Sequence, residues 1–258
     1  MLQIDGLFVF LMLVLGHVLG DFFLQPDHWV KDKNTNKSRS LCLYYHASIH
    51  GLLVALIVGF ATKQNLFSTI TIALVLALAH GIIDYIKIKI GKKGKWFVID
   101  QLLHIATLIL LWFFLYATAF EQTSTLLKTL DYNESLLVII AYVIMLKPSA
   151  VLMGIMLSKW SIEISTSKNT THDNENETGA LSNAGQYLGY IERILVLTFV
   201  LNNQFAAVGF VLAAKSIFRM GDLREAHDRK FTEYVMLGTL FSMSLALFTG
   251  IAVENLLS

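Results

Sequence analysis

Residues 17–21 read HVLGD, residues 46–50 HASIH, residues 80–84 HGIID and residues 100–104 DQLLH. Each segment sets two metal-ligand side chains four positions apart: His17 with Asp21, His46 with His50, His80 with Asp84, and Asp100 with His104. On an α-helix, side chains four apart stand on one face, about one turn from each other. The histidines of an HExxH zinc helix use the same spacing. All four pairs lie in or at the end of apolar segments, where an ionisable side chain is costly and usually functional. They decide the fold as membrane helices with polar faces turned toward one another.

Composition agrees with that reading. The chain has 258 residues, of which 55% are hydrophobic and only 15% charged, and its mean hydropathy is +0.60. An ordinary soluble domain carries more charge and less apolar surface. Several apolar runs reach the roughly 17–25 residues needed to cross a bilayer. A formal net charge of +1 and the lack of a basic domain give no sign of nucleic-acid binding. The single cysteine, Cys42, excludes an internal disulfide. The N-terminus has no basic leader, carries Asp5, and reads as a first membrane helix rather than a signal peptide.

Taken in order, the chain predicts about eight spans in an all-α, polytopic transmembrane helix bundle. They fall near 7–24, 41–60, 66–86, 96–120, 136–157, 187–201, 205–218 and 234–253. Residues 1–157 form a front bundle bearing the His/Asp pairs. Residues 158–185, rich in Asn, Thr, Ser and Glu, have the composition of a flexible linker. Residues 186–258 form a back bundle. Putting both termini outside places most loop Lys and Arg, including Lys31, Lys33, Lys87, Lys89, Arg224 and Arg229, on the cytoplasmic side, and only Lys63 and Lys128 outside.

In that topology the pairs come late, early, late and early in successive antiparallel spans. All eight side chains therefore fall at one level near the cytoplasmic surface. Gly16, Gly20, Gly51 and Gly81 sit beside them, where small residues let helices approach closely. One His–Asp pair is equally well read as a contact between helices, but four at one spacing and one depth point to a metal site. Five His and three Asp exceed the four ligands of one tetrahedral zinc, so two or more ions are expected. Mixed nitrogen and oxygen donors favour zinc, manganese or iron over calcium or magnesium. His28, just past the first span, is a weaker candidate. His172 and His227 read as solvated.

The back bundle carries its own charges, Lys147, Glu192, Arg193, Lys215 and Arg219. Interhelical ion pairs are one reading of these. The other is a cationic wall of Arg193, Lys215 and Arg219 that holds an anionic group such as a phosphate.

HVLGDFFLQPDHW, HASIH, HGIIDYIK and DQLLH, with GYIERILVL, AAKSIFRM and EYVMLGTLFS farther on, resemble the bacterial membrane-protein family called domain of unknown function 3307. That resemblance implies a bacterial inner-membrane location and no particular activity. More distantly, the His/Asp pairs are similar to those of inner-membrane metal-dependent hydrolases, and through them to zinc phospholipases C and P1-type nucleases. This chain lacks the soluble domain of those enzymes.

The leading expectation is an integral-membrane, metal-dependent hydrolase of phosphoesters. Bound metals would activate water and clamp the ester oxygens, while Asp21, Asp84 or Asp100, whichever is not fully used as a ligand, takes a proton. A metal-ion or proton-coupled transporter is the alternative. The spans read as lacking a matched pair of proline-broken helices, which speaks mildly against transport. A third reading is a membrane sensor or interaction protein that docks a protein partner through residues 158–185.

Overall fold

A computed structural model describes residues 6–62, 64–91, 94–116, 131–167, 175–225 and 229–257. These form ten α-helices and no strand. They are α1 (Gly6–Phe22), α2 (Asp27–Asn36), α3 (Leu41–Ala61), α4 (Leu66–Ile90), α5 (Gly94–Leu115), α6 (Asp131–Met145), α7 (Lys147–Ser167), α8 (Glu175–Leu201), α9 (Phe205–Glu225) and α10 (Arg229–Leu257). The chain divides into two compact units, Met1–Ile140 and Ala141–Ser258.

Among the described residues four helices are long and apolar enough to cross a membrane, or up to six if each of two bent helix pairs is one span. The expectation of eight is therefore met only in part. Phe205–Ile217 is apolar but shorter than a span. The surface supports the membrane assignment. Phe60, Leu66, Phe67 and Phe114 are each more than 70% exposed, large apolar side chains of the kind that face lipid rather than water. The interior carries His17, His46, His50, His80 and His104.

Both prolines of the chain, Pro26 and Pro148, mark the bends. α1 and the Asp27–Arg39 segment meet at 76°, and Asn133–Met145 meets Lys147–Ser158 at 41°. Proline removes a helical N–H and its ring crowds the carbonyl four residues back. This corrects the sequence reading in two places. The polar stretch after α1 is helical, and the fifth expected span, 136–157, is broken at Leu146. The unit boundary accordingly falls inside α6 rather than at residue 157, because α7 packs on α8 and α10. α7 runs to Ser167 and α8 starts at Glu175, so the expected linker is helical on both sides of 168–174, which lie outside the described residues.

In the first unit α1 packs on α3, α3 on α4, α4 on α5, and α5 back on α1, closing a ring of four helices. Local signals set the ends. Ser40 caps α3 by accepting from the Leu43 amide, and Asn65 caps α4 through Ser68. Gly91, at φ 114°, ends α4 in a conformation that only glycine adopts easily. The core of the unit is Val9, Leu13, Val54, Val58, Ile72, Leu108 and Leu111. Trp112 Nε1 donates to the Gly6 carbonyl at 2.8 Å and ties the end of α5 to the start of α1.

The α3–α4 contact depends on Gly51. A Cβ there would lie 2.9 Å from Ala77 Cβ and 3.2 Å from the Ala73 carbonyl oxygen, whereas a Cβ on Gly154 meets nothing within 4 Å. Gly51→Ala is expected to cost about 1–3 kcal/mol by overpacking. Gly154→Ala should be neutral, or stabilising by about 0.5–1 kcal/mol. Thermal unfolding in detergent distinguishes them: the midpoint falls for the first variant and not for the second.

Candidate metal centre

The inward face of each ring helix repeats every three or four residues and changes chemistry halfway along. On α1 it is Val9 and Leu13, then His17 and Asp21. On α3 it is His46 and His50, then Val54 and Val58. On α4 it is Ile72 and Leu76, then His80 and Asp84. On α5 it is Asp100 and His104, then Leu108 and Leu111. The apolar halves make the core, and the polar halves meet beside it. The four pairs read from sequence thus arrive at one cluster, as their alternating depth requires.

The distances are short. Asp21 Oδ1 lies 3.0 Å from His50 Nε2, 3.3 Å from His46 Nε2 and 3.5 Å from His80 Nε2. His17 Nε2 is 3.8 Å from Asp21 Oδ2. Asp84 approaches His46 and His104, each at 3.7 Å, and Asp100 approaches His104 at 3.5 Å. His46 and His80 meet Nε2 to Nε2 at 3.0 Å. The His80 ring is stacked between His50, at 3.6 Å between centroids, and His104, at 4.1 Å. His17, His46, His50, His80, Asp84, Asp100 and His104 are all buried.

Glycine makes this density possible at one point. A Cβ on Gly20 would fall 2.4 Å from Cε1 and 2.6 Å from Nε2 of His50. Any other residue there would force the His50 ring to shift.

Three groups offer one ligand atom per residue within 4.8 Å of one another: His17, Asp21, His50 and His80; His46, His80 and Asp84; and Asp21, Asp100 and His104. The donors also fit a cation by what they lack. His17 Nε2, Asp21 Oδ1, His46 Nδ1, His50 Nε2, Asp100 Oδ1 and both ring nitrogens of His104 are buried without a well-formed hydrogen bond. A buried donor or acceptor left unmade costs about 1–3 kcal/mol. Nitrogens and oxygens that crowd together without directional hydrogen bonds are a donor set suited to a shared cation.

Three residues missed by the sequence reading enter the cluster. Lys33, on α2, reaches Asp84 Oδ2 at 2.6 Å and is buried. Lys87, on α4, donates to Asp100 Oδ2 at 2.5 Å. The Gln101 amide donates to Asp21 Oδ2 at 2.9 Å and to Asp100 Oδ2 at 3.3 Å. Lys87 was legible, since residues 80, 84 and 87 share a helix face. Lys33 sits in a polar stretch that looks solvated, and nothing local marks it. His28 is exposed beside Trp29 and stays outside the cluster. His172 and His227 lie outside the described residues.

The expected substrate-binding cations belong to the second unit and have partners within it. Arg193 Nε donates to the Met145 carbonyl at 2.9 Å and Nη1 to Ser242 at 3.1 Å. Lys215 pairs with Glu192. The Arg219 side chain lies outside those described.

Fold and site together define an all-helical protein with membrane-length helices wrapped round a buried His/Asp cluster. A family model described as "Protein of unknown function (DUF3307)" matches residues 9–137, and the chain belongs to that family. The match spans all eight candidate ligands together with Lys33, Lys87 and Gln101. No curated protein and no solved structure matches the chain.

Lys33 and Asp84 form a buried pair from separate helices, and removing one partner strands the other. Each of Lys33→Met and Asp84→Asn is expected to destabilise by about 3–5 kcal/mol. The double variant should cost less than the sum by about 0.5–3 kcal/mol. Unfolding of the single and double variants in detergent measures that coupling.

Proposed function

We propose that this chain is an integral-membrane, metal-dependent hydrolase of phosphoesters in the bacterial cytoplasmic membrane, with both termini on the outer side. The observation that carries the proposal is the convergence of five imidazoles and three carboxylates, from four helices, on one buried cluster with unsatisfied donor atoms. Zinc fits the nitrogen-rich set best, with manganese or iron as the alternatives. Bound divalent ions supply Lewis acidity and make water acidic enough to act as a nucleophile near neutral pH.

The chain's own residues then have separable tasks. His17, His46, His50, His80 and His104 are the nitrogen donors available to cations. Asp21, Asp84 and Asp100 share ligation, and a carboxylate not fully used as a ligand takes the proton of the attacking water. Lys33 and Lys87 bring positive charge to the cluster that a phosphate ester can use. Orientation rests on the bias of Lys and Arg among the loops.

One observation favours transport as a second reading. α1 breaks directly after Asp21, and the next helix leaves at 76°. Transporter sites are commonly built where a membrane helix is interrupted.

Purified chain is expected to contain zinc, manganese or iron by elemental mass spectrometry and to hydrolyse bis-p-nitrophenyl phosphate. Chelation should abolish turnover, and His46→Ala and His80→Ala should lose both metal and activity. Metal-free protein whose two variants match the wild type would end the metal reading. Metal-loaded protein that moves zinc into proteoliposomes, without ester cleavage, would select transport.

A further inference from the structure

The three ligand groups of the cluster are not electrostatically equivalent. Asp84 Oδ2 is paired with the Lys33 ammonium and Asp100 Oδ2 with the Lys87 ammonium. Asp21 meets no lysine among its described partners. Its Oδ2 takes only the neutral Gln101 amide, and its Oδ1 is buried without a hydrogen bond among three imidazole nitrogens. Three carboxylates face two ammonium groups, and Asp21 is the one that neither ammonium meets among its described partners.

We propose that Lys33 and Lys87 are resident cations of the cluster, so that it takes one divalent ion, on His17, Asp21, His50 and His80. A second ion enters beside His46 and Asp84, with His80 already held by the first, only when Lys33 leaves. This rests on the metal-site reading above and fixes its stoichiometry. The favoured group offers three imidazoles and one carboxylate, the donor number and type of a tetrahedral zinc site. The second group shares His80 with the first, and its one carboxylate already holds an ammonium at 2.6 Å. An ammonium and a divalent ion on one buried carboxylate repel strongly, because little water is present to screen them. The third group depends on Asp100, which Lys87 holds in the same way.

Lys33 can leave together with the helix that carries it. Lys87 is part of α4, a wall of the ring. Lys33 belongs to α2, a short polar helix outside the ring that joins α1 through the bend at Pro26 and packs on α3. Its departure does not require the four helices to part. Lys33 therefore sets how many ions the cluster accepts.

Native mass spectrometry of the detergent-purified full chain, stripped of metal and titrated with zinc chloride, tests this. Wild type is expected to bind one zinc tightly and a second at least about 100-fold more weakly, a modest allowance for close like-charge repulsion. Lys33→Met should bring the second affinity within about tenfold of the first, and Lys33→Arg, which keeps the charge, should behave as wild type. His17→Ala should lose the tight ion. Two equally tight ions in the wild type would overturn the proposal and leave the metal site standing. No zinc in any form would remove both. A single tight ion in folded Lys33→Met, or a tight ion retained by His17→Ala, would overturn the assignment of positions. Wild-type stoichiometry and Lys33→Arg decide the matter if Lys33→Met does not fold.

Discussion

The first unit depends on one geometric constraint: the same face of each ring helix has to serve as core and as polar centre. Steps of four residues keep a side chain on roughly one face. Val9, Leu13, His17 and Asp21 therefore leave α1 in one direction, and the other three helices repeat the arrangement. The apolar half of each face holds the ring together through close packing, since lipid gives apolar helices no hydrophobic reason to associate. The polar half is then brought together whether or not its members attract one another. Gly20 and Gly51 set how tightly this is done, because a Cβ on either would collide with His50 or with Ala73 and Ala77.

Such crowding raises an electrostatic demand that the chain meets unevenly. Carboxylates taken from water into a membrane interior need compensating charge. Asp84 and Asp100 find it in Lys33 and Lys87, and Asp21 takes an amide. α2 is best understood in this light. Its sequence, DHWVKDKNTN, has little apolar surface to bury. It returns against α3 and inserts one lysine into the cluster, while Asp32 accepts from Ser40 at the start of α3. The bend at Pro26 is what permits the return.

Much of this was legible in the sequence because it is local or periodic. The pairs, their shared level and their neighbouring glycines follow from a 3.6-residue repeat inside apolar segments. What escaped depends on tertiary contact. Lys33 lies 51 residues from Asp84, and nothing in its own neighbourhood separates a buried lysine from a solvated one. The prolines were visible, but the residues after the first span at 7–24 read as a loop, and Pro148 was absorbed into the continuous run at 136–157. The boundary at Ile140 falls inside a helix, where composition gives no sign of it. Arg193 and Lys215 stood out in the sequence as membrane cations, but their pairing with Met145, Ser242 and Glu192 did not.

The second unit supplies an internal standard for the first. There the buried charges are largely answered. Arg193 donates to the Met145 carbonyl at the Pro148 break and to Ser242, leaving Nη2 without a hydrogen bond, and Lys215 meets Glu192. Tyr142 and Thr198 bond to each other. The same chain, under the same need to avoid unpaired polar atoms in a membrane, leaves seven His and Asp atoms of its first unit without a well-formed hydrogen bond. Structural polar packing would be expected to pair those atoms as it pairs the others. Concentrated at one point and lined by imidazole nitrogens, the deficit has the form that a coordinated cation relieves, and this separates the cluster from ordinary contacts between helices.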